Sequence, residues 1–168
     1  FQRPDFLNPE DPLFAQMASV YYKEMKKAYG SKIRYFGGEP FHEGGRSEGA
    51  DVAKSAVSIQ MQMQHHFPGS TWVLQGWQHN PSKTLLSGLD KTKTIVIELF
   101  GENSANWENR NCYEETPFVW CHVSNFGEKT GLYGKLQRFA NEVQRAKTSS
   151  CRTLMKGIGF IPEGLNNN

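Results

Sequence analysis

Lys93-Thr94-Ile95-Val96-Ile97-Glu98-Leu99-Phe100 is the stretch on which the fold turns. Its apolar, β-branched residues are contiguous rather than alternating, the pattern of a strand covered on both faces in a parallel sheet. Working outward, residues 71–77 (TWVLQGW) and 117–123 (PFVWCHV) read as buried strands, 33–36 as a short first strand and 153–161 as a last one. Helical spacing fills the intervals. Asp11-Pro12 supplies a capping side chain and a favoured first helical residue, and Leu13, Phe14, Met17, Val20, Tyr21, Met25 and Tyr29 follow at three- and four-residue spacing. Gly30 stops that helix, giving a predicted span of 11–29. Further helices are predicted over 49–66, 82–89 and 132–146, while 101–116 reads as a polar loop. Strands alternating with helices define an α/β fold with a parallel sheet. Five strands suit either an open doubly wound sheet or part of a (β/α)8 TIM barrel; a whole barrel takes ~250 residues, more than this chain has.

Composition narrows the function. The 168 residues carry 19 Lys or Arg against 17 Asp or Glu, a formal charge of +2 with no basic stripe, which argues against nucleic acid. No apolar run approaches the ~18 residues of a spanning helix, so membrane insertion is not expected. The N-terminal stretch lacks the basic and apolar regions of a signal peptide, and the end at GFIPEGLNNN, just after the last strand, suggests a piece of a larger protein. Cys112, Cys121 and Cys151 are an odd number, too few for a disulfide scaffold, and read as free thiols; the closest two are separated by eight residues, which is not a zinc spacing. His42 beside Glu43 has no second ligand at metal spacing, and no glycine pair has a phosphate-loop spacing, so no metal or cofactor is expected. Aromatics make up 12%, a composition that suits flat, partly apolar ligands such as sugars as well as a large core.

In α/β folds ligands bind beyond the carboxyl ends of the strands. The residues there are Glu39, His42 and Glu43 after the first strand; Trp77, Gln78 and His79 after the second; Glu98 and Glu102 at and after the third; His122, Ser124 and Asn125 closing the fourth; and Glu163 with Asn166 after the fifth. Carboxylates with an indole platform suit glycoside hydrolysis, which needs two acids flanking one glycosidic bond. Against this, a glutamate past a strand is more often a cap or surface group, and Trp72 and Trp120, inside strands, read as core. His65-His66 reads as a solvated pair favoured by the C-terminal end of a helix dipole.

Taken in order, FLNPEDPLF, YFGGEPFHEGG, WVLQGWQHNP, TIVIELFGE, PFVWCHVSNFGEKTGLYG and GIGFIPEGLNNN resemble the α-N-acetylglucosaminidases of glycoside hydrolase family 89, from about Phe6 to Asn168 and in wording closer to bacterial members. The resemblance implies that residues 1–168 are roughly the second half of a catalytic (β/α)8 barrel. The rest of the barrel and the family's flanking domains would then belong to the parent chain. It implies release of terminal α-linked N-acetylglucosamine from glycans with retention of configuration. Glu43 matches the general acid/base and Glu163 the nucleophile, while His42, Trp77, Glu98 and Asn125 contribute to the sugar pocket. His42 stands where animal members carry Asn, and either can hydrogen-bond a hydroxyl. Partial burial and mutual repulsion are expected to keep Glu43 protonated while Glu163 is ionised. Export is expected for a bacterial protein and the lysosome for an animal one. The alternatives are a non-catalytic carbohydrate-binding module or a barrel remnant.

Overall fold

A computed structural model describes residues 6–43, 45, 47, 49–124 and 136–162. Strands β1 (Tyr35–Gly37), β2 (Thr71–Gly76), β3 (Thr94–Glu98), β4 (Phe118–Ser124) and β5 (Met155–Pro162) form one sheet in the order β1-β2-β3-β4-β5. The pairings of β1 with β2, β3 with β4 and β4 with β5 are parallel. They alternate with α1 (Pro12–Tyr29), α2 (Val52–His66), α3 (Lys83–Ser87), α4 (Asn106–Asn109) and α5 (Leu136–Thr148). Sequential parallel order with helical crossovers is the arrangement of a partial TIM barrel. The chain divides into two compact units, residues 1–73 with 82–94, and residues 74–81 with 95–168.

In the first unit, α1 starts where the Asp11 carboxylate accepts from the Leu13 amide at 2.8 Å, and Pro12 takes the first helical position. Its apolar stripe is less covered than the spacing predicts. Leu13, Met17, Val20, Tyr21 and Tyr29 are exposed, and the side that packs is carried by Ala18 and by Tyr22, which meets Phe36 and Phe67 edge-on. β1 begins two residues later than 33–36, because the Arg34 guanidinium donates to the carbonyl of Ile33 at 3.0 Å, and the Arg34 carbonyl is the first to accept from β2, at Thr71. α2 is capped by Asp51 accepting from Lys54, and it buries Ala56, Met63 and the amide of Gln60. Gln60 accepts from the Asp90 amide at 2.8 Å and donates to Thr94 Oγ1 at 3.0 Å, replacing with protein partners the water its burial removes.

His65 is exposed as expected, but His66 stacks on Tyr22 at 5.2 Å, and burial followed by the charges of His65 and Lys26 lowers its pKa below the ordinary imidazole value. Desolvation and neighbouring cations here outweigh the helix dipole.

A Cβ on Gly88 would lie 2.2 Å from the Ala53 carbonyl oxygen, so α3 and α2 meet backbone to backbone. Gly88→Ala is expected to cost about 1–3 kcal/mol by overpacking, read as a lower urea midpoint with an unchanged slope.

In the second unit the core is built from Leu74, Val96, Trp107, Phe118 and Trp120. Trp120 lies in a strand and is 1% exposed, as its position predicts; Trp72 of the first unit is likewise buried. The segment predicted as a polar loop is instead α4 followed by a left-handed turn, Asn111–Glu115, in which five consecutive non-glycine residues have φ between 46° and 62°. Cys112 in that turn is disulfide-bonded to Cys151 in the short 3-10 segment Ser150–Thr153. This corrects the expectation of three free thiols: only Cys121, buried in β4, is free. The pairing joins positions 39 residues apart, a separation to which local sequence spacing is blind. Trp107 Nε1 donates to Glu142 of α5 at 3.2 Å, and Arg145 bridges Glu142 and Glu108.

Candidate active site

In the first unit, β1 runs out through Gly38, whose carbonyl accepts from Trp72 Nε1 at 2.9 Å, into the turn that carries His42 and Glu43. Phe41 (φ 64°) and Glu43 (φ 47°) both occupy the left-handed region, and the Gly45 amide closes the turn on the His42 carbonyl at 2.9 Å. A Cβ on Gly45 would sit 3.0 Å from Phe41 Cα, so glycine is what lets the loop fold back this tightly. Strained non-glycine conformations of this kind cost about 1–3 kcal/mol each and concentrate at functional sites. Glu43 stands exposed at the tip, so the partial burial expected of it is not supplied by the described residues. His42 is half-buried, with its Nε2 unpartnered among them.

In the second unit, Trp77 follows β2 directly and is half-buried, its ring meeting Phe100 edge-on at 5.3 Å. Such a half-covered indole can offer a flat apolar face to a ligand. Glu98, the last residue of β3, is fully buried, and its Oε1 accepts from the Asn106 amide at 2.9 Å. Burial pushes its carboxyl up to about 8, with the amides of Asn106 and Trp107 and the Arg138 charge opposing and Glu142 adding. The same burial raises the Tyr113 phenol and lifts the Cys121 thiol to about 12. Burial thus favours the neutral form of the Glu98 carboxyl over the charged one.

This acid has a consequence for stability. The fold holds the Glu98 proton more tightly than the unfolded chain does, so its favourable contribution is complete below the ordinary carboxyl value of 4.5 and is lost as pH rises through about 8. Glu98→Gln keeps an acceptor for Asn106 and cannot ionise. It should flatten the fall in thermal midpoint between pH 5 and 9; an unchanged slope would show that Glu98 is ionised in the native state.

Sequence reading noted Glu102 and His122 only as polar groups near strand ends, and the structure brings them together. Glu102 Oε2 lies 3.1 Å from His122 Nδ1, both side chains are buried, and the imidazole packs on Phe139 at 4.3 Å. Tyr113 was missed altogether; it is 1% exposed, in a segment whose composition resembles any surface loop. Asn125 and Glu163 lie outside the described residues. No group of three or more His, Cys, Asp or Glu is drawn together for a metal among the described residues, and no helix there is long and apolar enough to cross a membrane.

Comparison with known proteins addresses the same geometry. The whole chain, residues 1–168, matches the α-N-acetylglucosaminidase tim-barrel domain family. Human α-N-acetylglucosaminidase is 29% identical over 173 residues, covering 96% of this chain and 23% of that protein. A family 89 glycoside hydrolase from Clostridium perfringens in complex with PUGNAc superposes with a TM-score of 0.87 at 36% identity, covering 100% of this chain and 19% of that one. A doubly Glu→Gln form from the same organism, in complex with its substrate GlcNAc-α-1,4-galactose, superposes equally well at 35% identity. The chain thus spans about a fifth of the length of these relatives. Its five parallel strands, its loops beyond their carboxyl ends and a family match over residues 1–168 place it in the α-N-acetylglucosaminidase family, glycoside hydrolase family 89, as part of the TIM-barrel domain.

Proposed function

We propose that the parent protein of this chain is a retaining glycoside hydrolase that releases terminal α-linked N-acetylglucosamine from glycans. The observation that carries this reading is the superposition of all of this chain, at 35% identity, on a relative in complex with its substrate GlcNAc-α-1,4-galactose. In that relative the two substituted glutamates are separated by nearly the same length of chain as Glu43 and Glu163 here, which supports these two as the reacting pair. Glu43 follows the carboxyl end of β1, and position 163 comes directly after Pro162, the last residue of β5.

The chemistry assigned to them is a double displacement. The Glu163 carboxylate attacks the anomeric carbon as Glu43 gives its proton to the departing oxygen, leaving a glycosyl ester. Water, deprotonated by Glu43, then cleaves that ester and regenerates both acids, a sequence that requires carboxyls ~5–5.5 Å apart. Trp77 is assigned to stack on the sugar's apolar face, with His42 and Asn125 orienting hydroxyls and Glu98 supporting the pocket from beneath. The 168 residues correspond in this reading to about half of the barrel and are inactive until the remaining strands complete the pocket. The Cys112–Cys151 disulfide supports an exported or lysosomal location, because such bonds persist in oxidising compartments.

The test is hydrolysis of a chromogenic α-N-acetylglucosaminide by the complete protein, with early products followed by proton NMR. α-N-acetylglucosamine should appear first. The β-anomer appearing first would overturn retention, and no hydrolysis would overturn the activity.

A further inference from the structure

The left-handed turn Asn111–Glu115 is the most expensive piece of backbone among the described residues of the second unit. For L-residues this conformation costs about 1–2 kcal/mol per residue, and it persists only where the surroundings over-determine it. Here three tethers do so. Cys112 is bonded to Cys151; Arg110 Nη2 pairs with Glu114 Oε2 at 2.6 Å; and the same guanidinium lies 4.9 Å from the centre of the Tyr113 ring. What they hold in place is the Tyr113 side chain, 1% exposed, with a hydroxyl that has no hydrogen-bond partner among the described residues.

That hydroxyl lies against Gly76, the last residue of β2. A Cβ at Gly76 would fall 2.9 Å from Tyr113 Oη on one side and 3.1 Å from Glu98 Cα on the other. The Gly76 carbonyl also accepts from the Leu99 amide at 3.2 Å. Because that carbonyl and the Trp77 amide share one planar peptide unit, fixing Gly76 fixes the direction in which Trp77 leaves the strand. A phenylalanine would fill the ring's place without burying an unpaired hydroxyl, a burden of about 1–3 kcal/mol. The hydroxyl therefore acts as a steric stop rather than as a polar contact.

We propose that Tyr113 is a positioning residue for Trp77, and that the clamped left-handed turn serves to press its hydroxyl against Gly76. This rests on the reading of Trp77 as the sugar platform, but one arm of its test does not. Of the four tryptophans, Trp72, Trp107 and Trp120 are at most 3% exposed and Trp77 is half-buried, so iodide quenching reads Trp77.

In this chain, with Trp77→Phe as background, Tyr113→Phe should change the Trp77 quenching constant at least roughly twofold while the thermal midpoint stays level or rises. In the complete protein the same variant should raise KM for the chromogenic glycoside roughly 3- to 10-fold with kcat changed less than twofold, the signature of lost sugar positioning rather than lost chemistry. Gly76→Ala, which displaces the hydroxyl from the other side, should reproduce both changes. Unaltered quenching in Tyr113→Phe would overturn the proposal, as would a fall in stability with KM unmoved. If the wild-type protein hydrolyses nothing, the glycosidase reading fails and the quenching arm still decides the role of Tyr113.

Discussion

In the complete protein, Glu163→Ala is expected to lower turnover roughly 10⁴-fold or more, because the covalent intermediate can no longer form. Glu43→Ala should cost about 10²–10⁴-fold, the range of a general acid, and the loss should depend on the leaving group. A dinitrophenyl glycoside departs without protonation, so its first step should survive in Glu43→Ala and the glycosyl ester should accumulate as a burst. Azide distinguishes the two roles by stereochemistry. In Glu163→Ala it can occupy the emptied space and attack the anomeric carbon directly, giving the inverted β-azide. In Glu43→Ala the nucleophile is intact, so azide intercepts the ester and returns the α-azide. Exchanged products would mean exchanged roles, and near-normal turnover of either variant would remove that residue from the mechanism. The exposure of Glu43 on this chain sharpens the expectation, since whatever buries it must come from outside the described residues.

The parts of this fold that could be read in advance are those fixed by neighbours in sequence. β3 is a contiguous apolar, β-branched run, and such a run has few stable alternatives once it is covered on both faces. The start of α1 followed from Asp11-Pro12, whose cap and ring act within one turn. The loop ends bearing His42, Glu43, Trp77 and Glu98 were legible because strand position alone sends residues to the carboxyl edge. Non-local features were not. Asn111–Glu115 contains no glycine, and local sterics argue against a left-handed path there, so the conformation exists only because of Cys151, Arg110 and the packing of Tyr113. Likewise the acidity of Glu98 depends on how deeply it is buried and on Asn106, Arg138 and Glu142, none of which β3 reveals. The exposed stripe of α1 shows the converse limit: periodicity marks a face suited to burial, and cannot say what covers it.

Replacing both Cys112 and Cys151 by serine should produce a large stability loss. A bond joining positions 39 apart restricts the unfolded chain by about 4 kcal/mol on loop-closure arguments. Some of that is recoverable, because a released turn can leave the left-handed region and regain about 1–2 kcal/mol per residue. Recovery, however, requires Tyr113 to withdraw from its buried site, at about 1.5–3 kcal/mol for a side chain of that size, and separates Arg110 from the ring it covers. Where the buried Tyr113 and Arg110 keep the turn in place, that strain is not released, leaving a net loss of about 2–4 kcal/mol, a substantial share of the 5–15 kcal/mol typical of a domain. Urea unfolding under non-reducing conditions measures it directly. A loss below about 1 kcal/mol would mean that the turn relaxes once the bond is gone, the strain released offsetting the loop-closure loss, and that Arg110 and Tyr113 do not suffice as tethers.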